Sequence, residues 1–78
     1  MHGFVTRGGS PFGGAYVRLL DSTGEFTAEV QSSATGYFRF YAAAGAWTLR
    51  TLAPGQSVDT PVTAVQGEAV EATVDVPA

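Results

Sequence analysis

A nucleophilic relay needs a serine, threonine or cysteine activated by a neighbouring base. The chain holds a single histidine, His2, and no cysteine. His2 stands beside the terminus, where chains fray, and reads as a partly exposed first-strand residue. The run Gly8-Gly9-Ser10-Pro11-Phe12-Gly13-Gly14 invites a phosphate-loop reading. It lacks the G-x-G spacing, the following Lys-Ser/Thr and the helix that would supply a dipole. It also departs from G-x-S-x-G, because Phe12 occupies the place of the second glycine. A flexible inter-strand loop is the expectation there. One histidine without cysteines cannot make an ordinary zinc set. The acids Asp21, Glu25, Asp59 and Asp75 are scattered, unlike the clustered oxygen ligands of a calcium loop. A paired-carboxylate mechanism would have to draw on acids that fall on turns and solvated faces. No catalytic, cofactor-binding or metal-ligating residue is therefore assigned, and a non-enzymatic role is expected.

The side chains that could do recognition chemistry are aromatic and cationic. Tyr37, Arg39 and Tyr41 alternate along one segment, and Arg50, Tyr16 and Arg18 occur on segments read as its neighbours. Tyr and Arg are enriched among residues that dominate binding energy at interfaces. The same pairing suits an oxyanion or a planar ring. Tyr16, Arg18, Tyr37, Arg39, Tyr41 and Arg50 are accordingly expected to form an interaction surface on the outer face of the central strands.

Such a face has to be carried by strands, and strand signals dominate the chain. Turn residues recur every eight to twelve positions, at Gly8-Gly9-Ser10-Pro11, Asp21-Ser22-Thr23-Gly24, Thr35-Gly36, Gly45, Pro54-Gly55 and Gly67. The runs between them are rich in β-branched and aromatic residues, the rhythm of a sandwich or barrel. Strands are expected at roughly 2–7, 15–21, 26–32, 36–42, 46–52, 57–63 and 69–76. Phe38 and Phe40 share a face opposite Tyr37, Arg39 and Tyr41, and Trp47 and Leu49 share one opposite Thr48 and Arg50. In the last strand Val70, Ala72, Val74 and Val76 oppose Glu71, Thr73 and Asp75. One apolar and one polar face is what a half-buried antiparallel sheet requires. The one helix candidate, Glu68 to Val74, fits a strand better because its valines and threonine alternate. Ala42-Ala43-Ala44 is too short to nucleate a helix. Pro61 belongs near a sheet edge, since it cannot donate to a ladder. If Val17 lies opposite Val30 in a hairpin, Arg18 faces Glu29 on the solvent side.

Seventy-eight residues suit one domain, 1–78. A core of that size is marginal without disulfides, a metal or self-association. Seven acids against four arginines, with no lysine, leave a net charge of −3. That balance argues against a nucleic-acid partner, which would need a basic face. The start Met1-His2-Gly3-Phe4-Val5 has neither the charge nor the apolar run of a signal peptide. No run is long and apolar enough to span a membrane. The absence of cysteine fits a reducing compartment, and a cytoplasmic location without membrane association is expected.

Several segments resemble a known domain. Val5, Gly9-Ser10-Pro11, Gly14-Ala15-Tyr16-Val17, Gly36-Tyr37-Phe38-Arg39-Phe40 and Gly45-Ala46-Trp47-Thr48-Leu49 resemble the carboxypeptidase regulatory-like domain. The resemblance implies a seven-stranded antiparallel β-sandwich of transthyretin-like, Ig-like type, with Trp47 as a core aromatic. The run from Gly14 to Arg50, including Glu25-Phe26-Thr27-Ala28-Glu29-Val30 and Ser33-Ala34-Thr35-Gly36, is similar to a family of small uncharacterised actinobacterial proteins. Those proteins are associated with sulfur metabolism, because their genes lie beside a thiosulfate sulfurtransferase. Family members carry a short amino-terminal segment with a cysteine, whereas this chain begins almost on its first strand. If that cysteine has a redox or sulfur-carrying role, these 78 residues are not expected to share it. From Leu52 onward only the alternation matches.

Together these readings point to a binding or interaction module without cofactors. Its expected partner is a protein, with a sulfurtransferase implied by the resemblance, and self-association into a homo-oligomer is a further expectation. The alternative is a small-ligand domain taking a sugar or an oxyanion on the Tyr/Arg face. All of this requires β-structure: a far-ultraviolet circular dichroism spectrum should show strand and no helical signature, and a helical spectrum would exclude the reading.

Overall fold

A computed structural model describes residues 1–77. Eight strands follow one another: β1 (His2–Arg7), β2 (Ser10–Pro11), β3 (Tyr16–Leu20), β4 (Phe26–Gln31), β5 (Tyr37–Arg39), β6 (Gly45–Ala53), β7 (Gln56–Ala64) and β8 (Glu71–Val76). There is no helix among the described residues. The expected count of seven is corrected by β2, a two-residue strand inside the glycine-rich stretch that pairs with Thr6 and Arg7.

The strands form two sheets. In one, β4-β3-β6-β7 run in that order with antiparallel pairings throughout; we call it the hairpin sheet. In the other, β1 is central and meets β8 along its whole length. On its opposite side β1 meets β5 with its first half and β2 with its second; we call this the terminal sheet. The β1–β8 pairing is parallel, which corrects the expectation of a wholly antiparallel fold. Parallel neighbours need a long crossover connection, and here nearly the entire chain supplies it.

Inward side chains of both sheets meet in one cluster, giving a sandwich-like arrangement. Val5, Phe38, Phe40, Ala72, Val74 and Val76 come from the terminal sheet and its extension, while Ala15, Val17, Leu19 and Leu49 come from the hairpin sheet. The period-2 alternation of the sequence accounts for this, because every second side chain of a strand points to the same face. Phe38 fits because its neighbours on β1 and β8 are small. A Cβ on Gly3 would lie 1.7 Å from the Ala72 carbonyl oxygen and 2.8 Å from the Phe38 ring. Only glycine allows the three strands to close there.

The expected hairpin register is found, with Val17 opposite Val30 and Arg18 opposite Glu29. Pro61 lies on β7, at an edge of its sheet. Trp47 is only partly buried, packed against the cluster instead of forming its centre. Its indole N–H donates to the Ala43 carbonyl at 2.8 Å, so it also pins the segment before β6. The glycine-rich stretch is fastened down. The Ser32 hydroxyl accepts from Ala15 N–H at 3.0 Å and donates to the Phe12 carbonyl at 2.9 Å, while Phe12 N–H donates to the Val5 carbonyl at 2.9 Å.

Thr51 sits on the inward face of β6 in line with Leu49 and is 0% exposed. Its hydroxyl has no hydrogen-bond partner among the described residues. A buried polar group without a partner costs about 1–3 kcal/mol. Thr51→Val, which keeps the shape and removes the hydroxyl, should raise stability by about 1 kcal/mol and the melting temperature by roughly 4–8 °C. Differential scanning calorimetry checks this, and a lower melting temperature would mean the hydroxyl has a partner.

Candidate functional site

The six aromatic and arginine residues expected on one face are divided between the two sheets. Tyr16 and Arg18 lie on β3 and Arg50 on β6, on the outer face of the hairpin sheet. Tyr37 and Arg39 lie on β5, with Tyr41 just beyond it, on the terminal sheet. The sheets bury their inner faces against each other, so their outer faces point away from one another. The structure therefore joins Arg18 with Arg50, and Tyr37 with Arg39 and Tyr41, but does not join the two groups.

On the hairpin sheet the registers line up one charged row across all four strands: Glu29, Arg18, Arg50 and Asp59. Arg18 Nε donates to Glu29 Oε1 at 2.7 Å. Arg50 grips Asp59 with two bonds, Nε to Oδ1 at 2.9 Å and Nη2 to Oδ2 at 3.1 Å. Both arginines are thus neutralised inside the molecule. Surface pairs of this kind fix register more than they stabilise, and they leave little positive potential for an anion.

The terminal sheet is organised differently. Its outer rows are Glu71, His2, Arg39 and then Thr73, Phe4, Tyr37, read across β8, β1 and β5. His2 Nε2 lies 3.4 Å from Glu71 Oε2, an ion pair only while the imidazole is protonated. The His2 and Tyr37 rings are 6.2 Å apart between centroids, and Phe4 meets Tyr37 edge-on at 5.5 Å. Arg39 lays its guanidinium over the Tyr41 ring at 5.0 Å. Tyr41 is 88% exposed, so this contact hangs in solvent. Arg39 has no carboxylate partner among the described residues.

These side chains line an open groove of about 530 Å³, bounded by His2, Phe4, Tyr37 and Arg39 and by Glu68 and Ala69 from the β7–β8 connection. Sequence reasoning missed His2 and Phe4 as members of this face. Their alternation with Gly3 and Val5 was the available signal, hidden by treating the terminus as frayed. The chemistry on display is recognition chemistry: the Arg39 guanidinium, the Glu68 carboxylate and the aromatic rings of Phe4 and Tyr37. The hydrogen-bonded hydroxyls of Thr6, Thr23, Ser32, Ser33 and Thr35 are all engaged elsewhere and none meets His2. Among the described residues no three His, Asp or Glu side chains gather closely enough to hold a metal ion. No helix of the described residues is long and apolar enough to cross a membrane.

Fold and groove define a small all-β, sandwich-like domain with one open aromatic and cationic face. Residues 1–76 match the family described as "Protein of unknown function (DUF1416)", and the chain belongs to that family. The uncharacterized proteins Rv0814c and Rv3118 of Mycobacterium tuberculosis (strain ATCC 25618 / H37Rv) are each 63% identical over 51 residues, covering 65% of this chain and 51% of theirs. An uncharacterized protein of Mycolicibacterium smegmatis is 62% identical over 48 residues, covering 62% of this chain and 53% of its own. The chain spans about half the length of the curated relatives it matches. The expected kinship with small uncharacterised proteins is thereby established for the mycobacterial family.

Two carboxylates titrate abnormally, both away from the groove. Asp59 is held below the ordinary value of 3.8 chiefly by its hydrogen bond from Arg50. Asp21 is lowered first by the Thr23 hydroxyl and then by the Glu25 backbone N–H, in the turn between β3 and β4. A folded-state value below the unfolded one means that the unfolded chain binds more protons in that window. Stability from these groups is present above the ordinary carboxylate value of 3.8 and is lost as pH falls through the lowered ones. Melting temperatures should hold down to about pH 4 and then fall. In Asp21→Asn and Asp59→Asn the fall should be shallower, and an unchanged acid limb in both would sever the link.

Proposed function

We propose that this domain is a non-catalytic binding module whose recognition surface is the groove on the outer face of the terminal sheet. The observation that carries this reading is that Arg39 has no carboxylate partner among the described residues. Arg18 and Arg50 are each held by a carboxylate of the neighbouring strand, whereas Arg39 stands beside Tyr37, Tyr41 and His2 at the edge of an open groove. A solvent-facing guanidinium flanked by aromatic rings is a typical anchor for a partner's carboxylate or ring.

The finer reading of the fold is a transthyretin-like, carboxypeptidase regulatory-like β-sandwich, supported by two sheets that share one core. The partner class that the sequence resemblance implies is a protein, with thiosulfate sulfurtransferase the first to test. The groove's volume and the Arg39 guanidinium on its lining favour a second reading as well, in which a sugar or an oxyanion such as thiosulfate occupies it.

Purified sulfurtransferase and a panel of sugars and oxyanions should each be titrated into the chain by calorimetry. Whichever binds should lose about tenfold or more in affinity on Arg39→Ala, with the melting temperature unchanged, since anchors of this type contribute about 2 kcal/mol. Arg50→Ala, on the opposite face, should bind as the parent does. Equal affinity in Arg39→Ala and the parent would overturn the assignment of the groove.

A further inference from the structure

The outer face of the terminal sheet is charged in a way that fits a second copy of itself. Across the row Glu71, His2, Arg39, an acid lies on one flanking strand and a guanidinium on the other, with β1 between them. Ideal strand spacing puts Glu71 and Arg39 about 10 Å apart, too far to pair within one molecule. A two-fold axis lying along β1, in the plane of the face, reverses order across the strands and preserves position along them. It sets Glu71 of one copy against Arg39 of the other, twice by symmetry, as an isologous contact requires. In the next row, Thr73, Phe4, Tyr37, the same axis brings Phe4 onto Phe4 and Tyr37 against Thr73. Phe4 and Tyr37 are 38% and 37% exposed in the single chain, so both have surface left to bury.

The hairpin sheet provides the contrast. Its row Glu29, Arg18, Arg50, Asp59 has the same sign pattern read from either end. A two-fold axis through its middle would set arginine on arginine and acid on acid, and like charges placed opposite each other suppress association. Of the two faces, the terminal one carries a row, Glu71, His2, Arg39, with opposite signs at its two ends.

We infer that the chain forms a two-fold homodimer through the outer face of the terminal sheet, with reciprocal Glu71 to Arg39 pairs on either side of a His2 to His2 contact and with Phe4 on Phe4 in the next row. The inference rests on reading this face as a recognition surface and names a second copy as its occupant. Six residues along the strands and three strand positions across them give a face of roughly 20 by 15 Å. That is about 300 Å² per copy, below the roughly 800 Å² per partner of standard specific interfaces. The dimer is accordingly weak and concentration-dependent, with a dissociation constant on the order of micromolar or above.

Sedimentation equilibrium over about 1 to 500 µM tests it, using the parent, Glu71→Arg, Arg39→Glu and an equimolar mixture of the two variants. The parent should pass from monomer to dimer as concentration rises. Each variant alone should associate at least about tenfold more weakly, because both flanks then carry one sign. The mixture should regain the parent's association, since one variant has only arginines at the two positions and the other only glutamates. Circular dichroism melts confirm folding, and Glu71→Gln and Arg39→Gln replace any variant that fails to fold, each expected to weaken the dimer. A parent that stays monomeric throughout, variants that dimerise like the parent, or a mixture of folded charge variants that fails to recover overturns the dimer. A monomeric parent that still binds a titrated partner through Arg39 overturns the dimer alone and leaves the groove assignment standing.

Discussion

The arrangement of the terminal sheet depends on a single inner row in which two small residues make room for one large one. Ala72, Gly3 and Phe38 are register partners across β8, β1 and β5, and Phe38 fills the space that a side chain on Gly3 would need. Because strand side chains alternate with period 2, fixing this inner row also fixes the outer rows on either side of it. A slip of one residue would carry Phe38 to solvent and bring Tyr37 and Arg39 inward. The placement of Glu71, His2 and Arg39 in one line is therefore a consequence of core packing. The charged groups did not have to select it, and exposed charges contribute too little to do so.

The two outer faces show what the same few charged side chains do under different registers. On the hairpin sheet, opposite charges fall on adjacent strands, within reach of each other, and close into pairs. On the terminal sheet the acid and the arginine are separated by β1 and its histidine, so neither can satisfy the other. Four arginines in a chain with net charge −3 would not by composition suggest any free cation. Geometry leaves Arg39 open, and Arg7 rests on the Phe12 ring at 5.5 Å.

How much of this could be read in the sequence depends on whether the information was local. Alternation told inward from outward correctly for Phe38, Phe40 and Leu49 and for the acids of the last strand, because that property belongs to each strand by itself. The β3–β4 register was legible because only a short turn separates the strands and only one alignment opposes Val17 to Val30 and Arg18 to Glu29. The same logic applied to β6 turns Thr51 inward with Leu49, despite its hydroxyl. Sheet membership was not legible. Alternation says that Arg39 and Arg50 both point outward, yet it carries nothing about which sheet each strand joins. That choice is made by long-range pairing, and the parallel union of β1 with β8 links the two ends of the chain. The two-residue β2 escaped for a related reason, since its pairing is held from outside, by Ser32 and by the Val5 carbonyl.

The groove and the symmetric contact draw on the same residues, and this couples them. Arg39 cannot hold a ligand's anion and a second copy's Glu71 at once, so the proposed occupation of the groove and the proposed self-association would oppose each other by mass action. A domain of this size buries a small core, and in that core the Thr51 hydroxyl has no partner among the described residues. Covering Phe4 and Tyr37 against another copy would add apolar burial to a fold short of it, at the same exposed aromatic edges that recognition of a ligand would use. Partner binding would then release monomers from a dimer that is stable only at high concentration, and the strength of the Arg39 contact would set the balance between the two states.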